Sequence, residues 1–303
     1  MIEHYPRIRV RVESNSAPIR EGLRIDFYMR HPHTEIARAV MRSLDVYLHA
    51  VGPQSLGWYT DEEGDWQDLD SAGWAITRRE LLEYRWPIIH LRGELSGKNC
   101  YGFEYYGRPL DNPEWGDTSG MVCAASFWLP TEYLEEQGPE QVRKLALELA
   151  GPLPFGSGNA GLAFLAQPHV LGVMREIRAR CFRYPGLDLP RVEHDSNHLG
   201  TRVRGPSWLT FLGQPVLGAL GGVAGLRARL HSPGTTVEAL EDDRAVVTLG
   251  EWPEAGDTEL DHTLPAYREL ARVLEPWLYQ DEHCSHLDFT QEDMRRWGRR
   301  FLE

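Results

Sequence analysis

The sequence predicts an α+β fold, a largely antiparallel sheet arrangement with packed helices, in a single unit of two lobes at about 1–166 and 167–303. Three observations carry that expectation. Segments of period-two alternation are interleaved with amphipathic stretches of helical period, yet no βαβ rhythm repeats along the chain. The middle is rich in strand-like runs, which suits antiparallel neighbours. Around Gln167-Pro168, where the lobes would meet, the chain is too apolar and the break too short for a linker between independent domains.

In chain order, Ile8, Val10 and Val12 alternate with Arg7, Arg9 and Arg11, and Leu23, Ile25 and Phe27 alternate with Arg24, Asp26 and Tyr28. Both patterns predict half-buried strands, paired antiparallel. Thr34 is placed to cap a helix whose Ile36, Val40, Leu44, Tyr47 and Val51 form one apolar stripe that would cover the sheet. A polar region rich in Trp and Asp follows at 57–83, and strands are expected at 86–95, 101–106 and 121–129. Val142, Leu145 and Leu149 mark a second helix ended by Gly151-Pro152, residues 161–166 a short buried strand, and Leu171, Met174, Ile177 and Cys181 a third helix.

Further on, Trp208, Leu209, Phe211 and Leu212 form an apolar run between Gly205-Pro206 and Gly213, a buried strand between turns. Leu220, Val223, Leu226 and Leu230 then fall near helical spacing with Gly218, Gly221, Gly222 and Gly225 among them. Each interior glycine costs a helix about 1 kcal/mol against alanine. Such a segment must break at Gly221-Gly222 or lie close against another backbone. Residues 235–240 and 245–249 flank Glu241-Asp-Asp-Arg244 as a hairpin, and Thr263 is placed to cap a helix carrying Tyr267, Leu270, Leu274 and Trp277, with Pro265 in its first turn.

Composition narrows the function classes. A hydrophobic content of 42% with 25% charged residues is that of an ordinary globular chain, and no run of 18 apolar residues suggests a membrane span. The opening Met1-Ile-Glu-His-Tyr-Pro-Arg has no apolar signal core, so a cytoplasmic location is expected. Cys100, Cys123, Cys181 and Cys284 are scattered without a CxxC pair, which supports packing roles rather than a zinc site or a disulfide framework.

The formal charge is −13, with only Lys98 and Lys144 as lysines among 32 basic residues. So acidic a chain repels nucleic acid and attracts a basic protein. The acid is clustered: Asp61, Glu62 and Glu63 with Asp65, Asp68 and Asp70; Glu241, Asp242 and Asp243; residues 251–261; and Asp281 and Glu282 with Asp288, Glu292 and Asp293. Any one cluster is by default a solvated loop. In the first, however, Trp58, Trp66 and Trp74 stand among the carboxylates, and indoles in polar surroundings mark protein contacts. Trp58, Asp61, Glu62, Glu63, Asp65, Trp66, Asp68, Asp70 and Trp74 are therefore the candidate partner-binding residues. Trp115 sits in similar surroundings, whereas Trp208, Trp252 and Trp277 read as structural.

Other motifs fit catalysis poorly. His194, Asp195 and His198 have metal-ligand spacing only if their segment is helical, and Pro190 and Gly200 favour a loop. Around Cys284, His283 and His286 lie among acidic neighbours, which raise a thiol pKa rather than lower it. Phe155-Gly-Ser-Gly-Asn-Ala-Gly161 matches GxGxxG by letter but lacks the Lys-Ser/Thr ending of a P-loop, and Ser157 is not set in GxSxG; a tight turn feeding a strand accounts for it.

Several segments resemble one family. Tyr184-Pro-Gly-Leu-Asp188, Trp208-Leu-Thr-Phe-Leu-Gly213, Leu220-Gly-Gly222 with Leu226 and Leu230, and Glu251-Trp-Pro-Glu-Ala-Gly-Asp257 are similar to the type VI secretion immunity proteins of the TsiV-like family, as are Gly22-Leu-Arg-Ile-Asp-Phe-Tyr28 and Pro154-Phe-Gly-Ser-Gly158. The resemblance spans most of the chain and rests on motifs of structural character. It implies a non-enzymatic, stoichiometric inhibitor, with no catalytic residue, cofactor or metal, whose partner is a cognate antibacterial nuclease toxin with a basic face. The alternatives left by the residues are a metal-dependent hydrolase built on His194, Asp195 and His198, and a scaffolding protein of the same secretion locus.

Overall fold

A computed structural model describes residues 4–12, 18–93, 100–111, 116–281 and 288–303. Trp115, Glu282 and the His283, Cys284 and His286 cluster lie outside the described residues, as do the last two positions of the strand expected at 86–95. The chain runs through β1 (Arg9–Arg11), β2 (Pro18–Met29), α1 (His33–Val51), β3 (Trp58–Thr60), β4 (Trp66–Asp68), α2 (Ser71–Glu83), β5 (Ile88–Arg92) and β6 (Gly102–Tyr106). It continues with β7 (Cys123–Pro130), α3 (Thr131–Gln137), α4 (Pro139–Ala150), β8 (Ser157–Leu165), α5 (Val173–Cys181), α6 (Val192–His198) and β9 (Leu209–Leu212). The last elements are α7 (Val216–Ala219), α8 (Gly222–Arg227), β10 (Thr235–Leu240), β11 (Arg244–Leu249), α9 (Pro265–Leu274), a 3-10 turn at Glu275–Trp277, and α10 (Gln291–Gly298). The fold is α+β, and the strand registers are antiparallel, as expected. Among the described residues no helix is long and apolar enough to cross a membrane.

Two compact units divide the chain: Met1–Arg24 with Asn159–Arg191 and Arg202–Glu303, and Ile25–Gly158 with Val192–Thr201. In the first unit the strand order is β10-β11-β9-β8-β2, with β1 on β2. β1 is shorter than its alternation suggests, and it pairs with the start of β2, Val10 opposite Ile19. The expectation that β2 is half-buried is corrected, because its polar positions are buried too. Glu21 accepts hydrogen bonds from the Ile8 amide (2.8 Å) and the Arg9 guanidinium, and Arg24 donates to the Leu189 carbonyl. Polar groups that find such partners can be enclosed.

The loop Tyr184-Pro-Gly-Leu-Asp188 is laced onto β8. Asp188 N–H donates to the Leu162 carbonyl, Phe164 N–H donates to the Asp188 carbonyl, and Gly186 N–H donates to the Ala255 carbonyl. A Cβ on Gly186 would run into the Glu254 carbonyl, so only glycine fits. The Asp188 carboxylate accepts from Arg204 at 3.0 Å, with Arg300 at 3.7 Å. Burial alone would raise its pKa, but Arg204, Arg300 and Arg24 outweigh that and hold it below the usual carboxylate range. Beneath lies a core that includes Ile8, Ile19, Leu162, Phe164, Met174, Ile177 and Trp297.

The glycine-rich run breaks where expected: α7 ends before Gly221, whose φ is +86°, and α8 restarts at Gly222. Gly225 lies against the Leu220 carbonyl, the close approach that glycine permits. Three expectations fail. Leu171 precedes α5 and is 80% exposed. Thr34 does not cap α1, because His33 already belongs to the helix and its N–H is taken by the Arg108 carbonyl. Thr263 does not cap α9, which starts from Leu264 without a side-chain cap. α10, not expected, is started by a reciprocal Thr290–Asp293 capping box.

In the second unit the order is β2-β7-β6-β5-β3-β4. Directly opposed residues share a face. Tyr59 opposes Leu91, Leu91 opposes Phe103 and Phe103 opposes Phe127, which defines the core face. On this face α1 sets the Tyr47 ring against Phe127, and the Tyr47 hydroxyl donates to the Trp128 carbonyl. Ser43 ties α1 to the Leu149 carbonyl of α4, while Gly73 lets α2 lie on the Tyr59 ring. The other face carries Trp58, Thr60, Trp66 and Asp68, then Ile88, His90 and Arg92, then Glu104 and Tyr106.

Two outcomes test this account. Gly186→Ala is expected to destabilise the chain by about 1–3 kcal/mol through backbone overlap, whereas Gly218→Ala, which meets only the movable end of Gln214, is expected to stay near wild type in a urea melt. His33 is buried against the Tyr105 hydroxyl, and burial lowers its pKa from 6.5 to about 4. Above pH 6.5 its contribution is fully present; between 6.5 and about 4 the unfolded imidazole takes a proton that the folded one refuses, so stability falls with pH. His33→Asn should flatten that part of the denaturation profile.

Candidate functional site

The acidic, tryptophan-bearing segment of 57–74 is a hairpin followed by a capped helix, not an unstructured insert. β3 and β4 pair Trp58 with Asp68 and Thr60 with Trp66. Their turn is organised by Asp61: its Oδ1 accepts from the amides of Glu63 (3.1 Å) and Asp65 (2.9 Å), and its Oδ2 accepts from Gln67 Nε2 (2.7 Å). These bonds, led by the one from Gln67, lower the Asp61 pKa. Gly64, at φ +87°, lets the chain reverse. Asp70 caps α2, accepting from the amides of Ala72 and Gly73 at 2.9 Å each.

The nine candidate residues thus divide. Asp61 and Asp70 hold backbone, and Glu62 accepts the Tyr84 hydroxyl at 2.9 Å. Glu63, Asp65 and Asp68 project into solvent. Trp58 and Trp66 share the sheet face opposite the core, both half-buried, and Trp74 is half-buried on α2. Sequence reasoning missed their neighbours. Trp86 and Ile88, at the start of the strand expected at 86–95, are each 44% exposed. Alternation with the buried Pro87, Ile89 and Leu91 was the available signal. His90 hydrogen-bonds through Nε2 with the Tyr106 hydroxyl at 2.8 Å, and Arg92 pairs with Glu104 while its guanidinium lies 3.7 Å from the Trp128 ring centroid.

The other motifs resolve differently. His194, Asp195 and His198 lie on a helix, α6, not in a loop: Pro190 and Gly200 fall just outside its ends. The two imidazoles stand 4.7 Å apart, but Asp195 turns inward and accepts the Tyr28 hydroxyl at 3.2 Å. Among the described residues no group of three or more His, Cys, Asp or Glu side chains is placed to hold a metal ion. Residues 157–161 continue straight into β8, with Gly161 admitting Ser207 and the Trp208 backbone, so this is a strand rather than a turn and strand. Cys123 and Cys181 are buried, and burial raises their thiols to about 11 and about 12, which fits packing.

The remaining acid is largely paired. Asp257 receives Arg183 in a fork at 2.8–3.1 Å, Asp281 receives Arg191 at 2.5 Å, and Asp293 receives Arg178, whose bond lowers its pKa to about 2. A groove of about 1070 Å³ in the first unit, lined in part by His4, Tyr184, Glu254, Asp257 and Leu260, contains one of these pairs.

The family described as "TsiV: Type VI immunity for VRR-NUC" matches residues 39–301. The chain belongs to the TsiV family. In the structure Tyr184–Asp188 is hydrogen-bonded to β8 and Leu209–Leu212 is a buried strand, so both belong to the framework. Similarity extends to the Pseudomonas aeruginosa T6SS protein PA0821, with a TM-score of 0.78 and 21% identity over 99% of this chain and 88% of that one. At that identity the likeness concerns the fold. Among curated proteins none matches the chain.

For this TsiV-family chain the division of labour in the hairpin can be measured. Removing the α2 cap with Asp70→Ala should cost about 1 kcal/mol of stability, while Glu63→Gln and Asp65→Asn should each stay within about 0.5 kcal/mol. Chemical denaturation of the three variants checks this, and equal losses would contradict the assignment of roles.

Proposed function

We propose that the chain is a stoichiometric immunity protein that binds a cognate VRR-NUC nuclease toxin in the cytoplasm and occludes its active site, without turnover of its own. Family membership supports the class of partner. The observation that carries the mode of action is the charge of the hairpin: between Gly57 and Trp74 stand six carboxylates and no Lys, Arg or His. A nuclease must offer a positive groove to phosphate, and a rigid turn lined with carboxylates is complementary to such a groove. Blocking DNA entry requires no reacting group and no contact between this chain and nucleic acid.

Steering by charge acts mainly on encounter. Replacing Glu62, Glu63, Asp65 and Asp68 together by Gln, Gln, Asn and Asn preserves the turn-forming Asp61 and leaves Glu62's acceptor in place. The variant should associate with purified toxin roughly tenfold more slowly at low salt, and its rate should depend less on ionic strength. Co-expression of toxin and wild-type chain should restore growth and yield a co-purifying complex. An unaltered rate and salt dependence in the variant would remove the hairpin from the interface.

A further inference from the structure

We propose that the part of the second unit's sheet face that lies beyond α6 is the surface that retains the toxin, receiving an arginine-bearing, basic protein face against Trp58, Trp66, Trp86 and Ile88. This rests on the immunity reading above and adds to it the apolar contact that charge alone does not supply.

A sheet in a mixed fold normally has both faces occupied or one face made polar. Here α1, α2 and α4 are placed on the side of the core face, while on the other side α6 packs over β6 and β7, where Arg108 donates to Ser196 Oγ at 2.6 Å and Val122 N–H donates to the Ser196 carbonyl. Beyond α6, β5, β3 and β4 present Ile88, Trp58 and Trp66 outward, and the exposed Trp86 lies just before β5. Single exposed apolar residues are commonplace, but Trp58, Trp66, Trp86 and Ile88, set along one face of three neighbouring strands, offer a contact site.

Two further observations select the occupant. The face is bounded by Asp68 and by the Asp61–Asp65 turn, and Tyr84 joins that turn to the neighbouring exposed segment through its hydroxyl bond to Glu62. Such a rim repels phosphate, and a second copy of this chain, at −13, would bring the same carboxylates against it. Indole rings on this side of the sheet already take guanidinium groups: Arg92 lies over the buried Trp128 at 3.7 Å, and Arg108 is 5.6 Å from the exposed Trp86. Indole faces among carboxylates suit arginines of a basic partner, which gain a cation–π contact and an ion pair together. The carboxylates then govern encounter and the apolar face governs residence.

The test uses the full chain and its purified cognate toxin, with association and dissociation rates measured across a salt series for wild type, Trp86→Ala and Ile88→Lys. Trp86→Ala and Ile88→Lys should each dissociate at least tenfold faster with little change in salt dependence, while retaining the wild-type melting temperature within a few degrees. Should Trp86→Ala fold poorly through its contact with Arg108, Ile88→Lys at an exposed strand position carries the test. If wild type does not bind the toxin, the immunity reading itself falls. If wild type binds and the folded variants dissociate at the wild-type rate, or change only in association, this inference alone falls. It falls equally if light scattering shows that wild type self-associates and the variants do not, for the face would then join two copies.

Discussion

The partly buried ion cluster around Asp188 is the interaction on which the first unit depends. One carboxylate meets Arg204 and Arg300 directly, with Arg24 close enough to contribute, while the backbone of the same residue closes two hydrogen bonds with β8. Removing the carboxylate would leave the arginines facing one another in a partly desolvated site, which costs more than losing a surface pair. The contact also ties distant parts of the chain together. Tyr184–Asp188 supplies the acid and Gly186 the close approach, while Arg204 comes from the segment just before β9, so two distant stretches of chain meet in one joint.

Much of that fold was legible because burial imposes periodicity. The stripe of α1, the apolar run of β9 and the interrupted glycine segment all appear where spacing places them. What was hidden follows from physics as well. β3 and β4 have three residues each, too few for alternation to register, and α2 has apolar residues on no single clear stripe. α6 fits between Pro190 and Gly200 because both lie beyond its ends, where helix-breaking residues do no harm. The burial of Glu21 depends on Arg9, twelve residues away, and a pairing across strands cannot be read from local pattern.

The candidate site was legible as a cluster but not as a set of roles. An aspartate that holds a turn, one that caps a helix and one that merely faces water look alike in the sequence. The structure separates them: Asp61 and Asp70 are engaged by backbone amides, while Glu63, Asp65 and Asp68 are exposed. The same sorting applies to charge as a whole. Asp188, Asp257, Asp281 and Asp293 are matched by arginines that the net count already subtracts, so the surplus that gives −13 must reside on exposed acids such as those of the hairpin. Only that surplus shapes the field a partner meets.

Charge and apolar area differ in what they can do for an inhibitor. A screened surface charge acts over about 8 Å at physiological ionic strength, which is enough to orient an approaching protein but contributes little once both surfaces are wet. Lasting inhibition of a nuclease requires slow release, and slow release requires desolvated contact with side chains that lose little freedom on binding. Indoles held on paired strands meet that requirement better than loop carboxylates, since the register of β3 with β4 and β5 fixes Trp58 and Trp66 in one plane before any partner arrives. The hairpin joins both devices in one element: its turn carries the charge, its strands carry the rings, and Asp61 fixes the geometry of the turn from which Glu63 and Asp65 project.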